Sequence, residues 1–389
     1  MKKRIKYCAL TTIDNSMTAF VLPAMKVFKD HGYDITLVCK MSKEFQVQHE
    51  KEFSCFPIDI ERGYNLIKTI KNIVVLFSYF RKEKFDMIQY GTENVSLCAA
   101  IAGFFAGIPV RIYDHWGARY IGLSGFSRFI CKNIERIAAF FSTDIRQVSN
   151  LNMEQCIKDK IYSSKKVKVL GMGGTIGVDT QVFDLEKKEQ YRTEIREEYD
   201  IPQNSVLIGY VGTIRKDKGS NELIEAFRKL SHQKENIYLM LVGGFFQEDP
   251  ISYENQQWAE ASNHVIFTGR VSDVHRYMSA MDILVHPSYR EGFGMVLQEA
   301  AALRIPIITT NIPGPSEFIK DGQNGILIEK EDAESLLKAI EFYLDNSNKM
   351  KVYAENAYTL VKEYFSREIM IHRMLKDRTS LYEKRIEFK

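Results

Sequence analysis

Two doubly wound α/β domains in one chain are the fold class that the sequence predicts, from three observations. Short apolar runs rich in β-formers alternate with amphipathic helical stretches, an order that implies parallel sheet with crossover helices. The alternation pauses once, at the charged stretch DLEKKEQYRTEIREEYD, and then restarts. At 389 residues the chain has the length for two domains of ordinary size.

Taken in order, RIKYCALTT, YDITLVC, FDMIQYG and VRIYDHW read as strands, with AFVLPAMKVFKDHG and VSLCAAIAGFFAG as helices between them. After the charged stretch, SVLIGYVGT, IYLMLVGG, HVIFTGR, ILVHPS and IPIITTN are the second set of strands. The domains are expected at residues 1–180 and 181–365. A helical tail over 366–389, without strand signal, is expected to pack back on the first domain.

Composition narrows the functional classes. A hydrophobic share of 45% and a charged share of 26% are those of an ordinary globular chain. No apolar run reaches the ~18 residues of a membrane span, and the apolar stretch after MKKRIK is too short for a signal peptide, so a cytoplasmic protein is expected. Six cysteines without CxxC spacing read as reduced core thiols. The net charge of +3 conceals an asymmetry. Up to Asp179 there are roughly 26 basic against 17 acidic residues, leaving the remainder acidic by about six. The basic half suits an anionic partner. Nucleic acid fits poorly, since the basic residues form no single stripe with an identifiable motif.

In doubly wound sheets, ligands bind at the carboxyl ends of strands. Four loops of the second half are candidates. In YVGTIRKDKGSNELIEAF a strand ends at Gly212 and a loop carries Arg215, Lys216 and Lys218 before a helix, an arrangement that suits a diphosphate. A basic solvated turn is the plainer reading. In LMLVGGFF, Gly243 and Gly244 end a strand and let a ligand approach the backbone. Arg270 and Val271 follow another strand, where exposed backbone would read a base edge. The fourth stretch, REGFGMVLQEAAA, places Glu291 in a loop and Glu299 on the first turns of the helix after it, so both acids can border one cleft. Glu299 suits a ribose diol and Glu291 sugar hydroxyls. Gly292, Phe293 and Gly294 offer backbone donors beside a helix N-terminus. Acid capping and a solvated helix face are the plainer readings of the two glutamates.

EGFGMVLQE, with Glu291 and Glu299 at the ends of an E-x7-E pattern, resembles the donor-binding half of the retaining glycosyltransferases of family 4, as do VGTIRKDKG and TTNIPGPSEFI. KVLGMGGTIGVDTQVF is similar to the segment before their interdomain linker. The resemblance implies the GT-B architecture: two Rossmann-like doubly wound domains facing across a cleft, acceptor on the first and nucleotide sugar on the second. It implies that Glu299 holds the donor ribose, that Glu291 holds the donor sugar, and that Gly292, Phe293, Gly294, Met295 and Val296 line phosphates and sugar with main-chain amides. Lys218 matches the lysine that neutralises the diphosphate in place of a metal ion, so no metal or cofactor is expected, and Val271 matches a position whose backbone contacts the base. One departure stands out: Thr213 occupies the place of the usual arginine, and Arg215 lies two residues later.

In the first half, VRIYDHW ends at Asp114-His115-Trp116. The family often has a histidine in this region on the donor sugar's 6-hydroxyl; His115 is the candidate, with Asp114 as rival and a locally held histidine as the plainer reading. TTIDNSMTAF lacks the glycines that the family often has in its first loop. The implied chemistry is front-face attack, with Lys218, Arg215, helix-end amides and domain closure assisting departure of the diphosphate, and with His115 and Glu291 at the sugar. A UDP-sugar is the expected donor. Basic and aromatic residues in YNLIKTIKNIVVLFSYFRKEKF and SRFICKNIERIAAFF, among them Lys68, Lys71, Arg81, Lys82 and Lys84, suit an anionic membrane carrying a polyprenyl-diphosphate-linked glycan acceptor. Two core-facing helices with lysines in water account for the same pattern. The expected role is in capsule, exopolysaccharide or O-antigen synthesis. The alternative is a catalytically weak GT-B scaffold subunit. A Rossmann oxidoreductase is disfavoured, because neither half opens with a strand followed by G-x-G-x-x-G.

Overall fold

A computed structural model describes residues 4–60, 63 and 65–386. Because each apolar strand is followed by a helix that returns the chain to the same end of the sheet, every pairing among the named strands is parallel. The chain divides into two units: residues up to Ile176 together with those from Glu368 onward, and Gly177–Arg367.

The first unit contains β1 (Ile5–Ile13), β2 (Tyr33–Lys40), β3 (Ser54–Pro57), β4 (Met87–Gly91), β5 (Val110–His115), β6 (Asp144–Gln147) and β7 (Val167–Val169), in the sheet order β3-β2-β1-β4-β5-β6-β7. The second contains β8 (Val206–Val211), β9 (Ile237–Val242), β10 (Val265–Gly269), β11 (Ile283–His286), β12 (Ile307–Thr310) and β13 (Ile326–Ile328), in the order β10-β9-β8-β11-β12-β13. All nine strand stretches read from the sequence are strands. Four strands were not read: β3, β6, β7 and β13 have three or four residues each, too few to establish a period of two. The glycine-poor TTIDNSMTAF forms no loop, since β1 runs directly into a helix at Asp14.

The two faces of the first sheet are chemically unlike. Cys8, Ile88, Tyr113 and Ile145 point into an apolar core shared with helices Leu66–Glu83, Glu93–Phe105 and Gly125–Phe141. On the opposite face the last helix, Arg367–Ile386, meets the sheet through charge. Arg378 donates to Asp114 at 2.8 Å and to Asp377 at 2.7 Å, while Arg146 of β6 holds Asp377 through two hydrogen bonds of 2.8 Å. Gln89 of β4 accepts from Arg378 at 3.3 Å. Both Arg378 and Asp114 are buried. The expected tail ends at 389, and its residues 387–389 lie outside the described residues, as does Tyr64 of the basic-aromatic stretch.

Removing one member of a buried ion pair leaves the other desolvated. Arg378→Ala is therefore expected to destabilise the first unit by about 3–5 kcal/mol, seen in urea denaturation as loss of the unfolding transition to which Asp114 and the last helix contribute.

Candidate functional site

In the middle of the second sheet β8 and β11 are neighbours, yet the chain leaves β8 for β9 on one side and β11 for β12 on the other. Their carboxyl ends form the switch point where a doubly wound sheet opens to a ligand. The loop after β8 carries Lys216–Lys218 as a single 3-10 turn ending at Gly219, whose φ of +69° is left-handed. A Cβ there would lie 2.1 Å from the carbonyl oxygen of Pro287, so only glycine allows the two loops to meet this closely. The contact is then fastened: the Tyr289 amide donates to the Asp217 carbonyl at 2.9 Å, and Arg290 pairs with the Asp217 carboxylate at 2.8 Å.

This junction puts Lys218 Nζ 2.5 Å from Glu291 Oε1, with side chains 28% and 15% exposed. The same oxygen lies 3.0 Å from His286 Nε2, at the last position of β11. Burial alone would push the Glu291 carboxyl up; the Lys218 ammonium and the His286 ring outweigh it and hold it well below the usual carboxylate range. Glu291 is a fixed anion at neutral pH. His286 was missed in the sequence, where it was one letter of an apolar strand. Its signal was its place, a polar ring on the final residue of a buried strand.

Glu299 behaves differently. It is half-buried on helix Met295–Ala302, and burial raises its pKa to about 7, opposed only in part by the Arg367 guanidinium. Arg367 is itself engaged with Asp179 at 2.7 Å. Gly294, with φ of +87°, precedes that helix, whose first-turn amides, those of Met295 and Val296, have no intrahelical acceptor. Gly292 leads into this turn, and Phe293 turns its buried side chain inward, 5.6 Å from the Phe365 ring.

The glycine-ended strands also converge. A Cβ on Gly243 would lie 1.9 Å from the Gly212 carbonyl oxygen, and Gly243 bridges to Gly269 at the end of β10. The exposed Arg270 runs beside Gly244, and the half-buried Val271 follows it. Thr213 is half-buried, and its carbonyl accepts from the Tyr210 hydroxyl at 2.8 Å.

Two of the expected site residues lie among acidic or polar partners. Arg215 is paired within its own loop region: its Nε lies 2.5 Å from Asp217 and 3.2 Å from Asp249, with the guanidinium 4.6 Å from the Phe246 ring. The acids that neutralise it were legible as Asp217 inside the cationic loop and Asp249 beyond the double glycine. His115 does not present its ring outward. It is buried, with Nδ1 2.9 Å from Gln147 Nε2 and Nε2 3.4 Å from Glu135. Gln147 Oε1 is taken by the Val148 amide at 2.8 Å, so it is the NH2 group of Gln147 that is turned toward His115. Its rival Asp114 is equally committed, to Arg378.

Residues 191–360 match the family described as Glycosyl transferases group 1. Over 369 residues the chain is 29% identical to the capsular polysaccharide biosynthesis glycosyltransferase CapM of Staphylococcus aureus, covering 95% of both chains. It is 23% identical over 347 residues, 87% of each, to the UDP-Gal:alpha-D-GlcNAc-diphosphoundecaprenol alpha-1,3-galactosyltransferase of Escherichia coli. Among solved structures, that of Anabaena HepE in complex with UDP superposes with a TM-score of 0.78 at 18% identity, covering 97% of this chain and all of that one.

The raised Glu299 pKa has a consequence for stability. An unfolded glutamate titrates at about 4.3, so between that value and 7 the folded state binds more protons than the unfolded one, and stability falls as pH rises. Glu299→Gln removes that penalty. The variant is expected to melt higher than the parent at pH 8 and to lose the advantage as pH approaches 4, measured by calorimetry across pH.

Proposed function

Since the chain belongs to the group 1 glycosyltransferases and has their GT-B fold, we propose that it transfers a sugar, with retention, from a UDP-sugar to a polyprenyl-diphosphate-linked glycan during assembly of a bacterial surface polysaccharide. The observation that carries this reading is the Lys218–Glu291–His286 cluster at the switch point of the second sheet. The UDP choice draws support from the UDP-Gal donor in the name of the Escherichia coli relative and from the UDP bound to HepE. The acceptor class draws on the diphosphoundecaprenol of the same relative, and the pathway on CapM.

In this reading Lys218 lies against the diphosphate and Glu291 accepts hydrogen bonds from hydroxyls of the transferred sugar. Glu299 takes the ribose diol, and the amides of Met295 and Val296 face the phosphates. Val271 backbone lies at the base. The acceptor hydroxyl oxygen bonds to the anomeric carbon as the carbon–oxygen bond to the diphosphate breaks, and the departing phosphate oxygen takes the hydroxyl proton. Charge therefore builds on the leaving group, where a fixed ammonium stabilises the transition state more than the ground state. With Arg215 held by Asp217 and Asp249 and Thr213 neutral, this load falls on Lys218 and the helix amides. His286 keeps Glu291 oriented for the sugar rather than reacting itself.

Thermal-shift measurements against UDP-, GDP-, dTDP- and CMP-sugars, with and without magnesium, test the reading. Metal-independent stabilisation by a UDP-sugar is the expected result; no stabilisation by any of them in folded protein points instead to a scaffold subunit. Lys218→Ala is expected to lower kcat by about 10²–10³-fold with little change in donor KM. Glu299→Ala mainly raises donor KM. Because the ribose diol binds the ionised carboxylate, donor affinity in the parent should decline as pH falls below about 7, a dependence that Glu299→Gln abolishes.

A further inference from the structure

The second unit opens at Gly177 and ends at Arg367, and its two ends run side by side, joined by a parallel bridge between Val178 and Ser366. Asp179 stands just inside one end and Arg367 closes the other. Both oxygens of Asp179 are engaged: Oδ1 accepts from the Gln181 amide at 3.0 Å, and Oδ2 from Arg367 Nη1 at 2.7 Å. Arg367 is only partly used. Its Nε–H is buried and has no hydrogen-bond partner among the described residues. A buried donor without an acceptor is costly and calls for an explanation.

Before Arg367 the chain makes a π-helical turn, Val361–Phe365, which packs on helix Met295–Ala302 and sets the Phe365 ring 5.6 Å from that of Phe293. Such turns are rare and gather at functional sites. The acid on the helix that this turn abuts is Glu299, and the Arg367 guanidinium is the charge that opposes the effect of its burial. The other charged groups of the elements packed against this helix are placed elsewhere. Lys349, Lys351, Glu355, Lys362 and Glu363 are exposed, and His286 of β11 lies against Glu291. Glu317, half-buried on helix Pro315–Phe318, is an acid and supplies no counterion. One guanidinium thus serves two carboxyls.

We infer that Arg367 is a positioning residue for the donor: it divides its guanidinium between Asp179 and Glu299, and turning toward Glu299 fixes the carboxylate that the ribose diol binds. A diol needs the ionised acid, which accepts both of its hydrogen bonds. Ionisation in turn strengthens the pull on Arg367 and weakens its pair with Asp179, so donor binding and that pair are linked in both directions. Nucleotide-sugar occupancy is thereby felt at the two ends of the unit. Resting on the assignment of Glu299 to the ribose, this adds the group that controls the acid and the competitor that restrains it.

UDP-sugar affinity between about pH 5 and 9, measured by titration calorimetry, is the test, together with carbon-13 NMR titration of the Glu299 carboxyl in ligand-free protein. Arg367→Gln is expected to raise the pH at which affinity is half lost by about one unit or more. That weakens binding about tenfold at about pH 6 and little at about pH 9. Asp179→Asn should move the same midpoint downward, because it releases Arg367 to Glu299. In the double variant the effect of Asp179→Asn should vanish, since without the guanidinium Asp179 has no path to the acid. Arg367→Lys should recover part of the affinity lost in Arg367→Gln. A merely structural pair would lower the melting temperature of both single variants and leave the midpoint in place, an outcome that overturns the inference. Shifts of the same sign in the two variants overturn it as well. Should Arg367→Gln not fold, the direction of the shift in Asp179→Asn decides. If no UDP-sugar binds the parent, the transferase reading fails, and the coupling is still read from the NMR titration: the Glu299 pKa must rise in Arg367→Gln and fall in Asp179→Asn, or the inference is overturned too.

Discussion

The contact between the Lys218 turn and the loop after β11 is the constraint on which the site in the second unit depends. Gly219 has no Cβ to meet the Pro287 carbonyl, and Asp217 then binds the neighbouring loop through backbone and side chain alike. The consequence is electrostatic as much as geometric. Two chain segments about 70 residues apart in sequence deliver an ammonium and a carboxylate to one point at the end of the sheet, with a histidine behind the carboxylate. The site is charged and nearly neutral overall before any ligand arrives, which lowers the cost of keeping it half-buried.

The two glutamates divide labour through their surroundings. Glu291 has a cation at hydrogen-bond distance and stays ionised; Glu299 has only the more distant pull of Arg367 against its burial, and titrates near neutrality. A half-buried carboxyl kept waiting costs stability that a ligand with hydroxyl donors returns. Such local costs are common where binding groups are preorganised.

Much of the fold was legible because period and composition are local properties. Nine strands and the interruption between two α/β halves could be read from runs of Val, Ile, Leu and Tyr. What could not be read is set by partners distant in sequence. β6, with the polar sequence DIRQ, is a strand because β5 and β7 flank it and because Arg146 finds Asp377, 231 residues away. The same applies to the site. Lys218, Glu291 and Glu299 stood out by type and spacing, whereas the pinning of Arg215 by Asp249 and the enclosure of His115 by Gln147 and Glu135 depend on which neighbours fold brings near. Helix Gly125–Phe141 shows the limit most clearly. Its pattern is amphipathic from either side, and only the packing decides that small residues face the sheet and the phenylalanines face out.

The last helix returns to the first sheet, so the second unit is an insertion within the first rather than its successor. Its ends are clasped: the Val178 amide donates to the Phe365 carbonyl at 2.9 Å, and the Arg367 amide to the Val178 carbonyl at 2.8 Å. During synthesis Asp114 emerges some 260 residues before the arginine that neutralises it. The first unit therefore cannot complete its charged face until Arg378 has been made, by which point every named strand of the second has already been synthesised. At a synthesis rate of about 5–20 residues per second, the chain carries that unfinished face for tens of seconds, and the inserted unit is positioned to fold first.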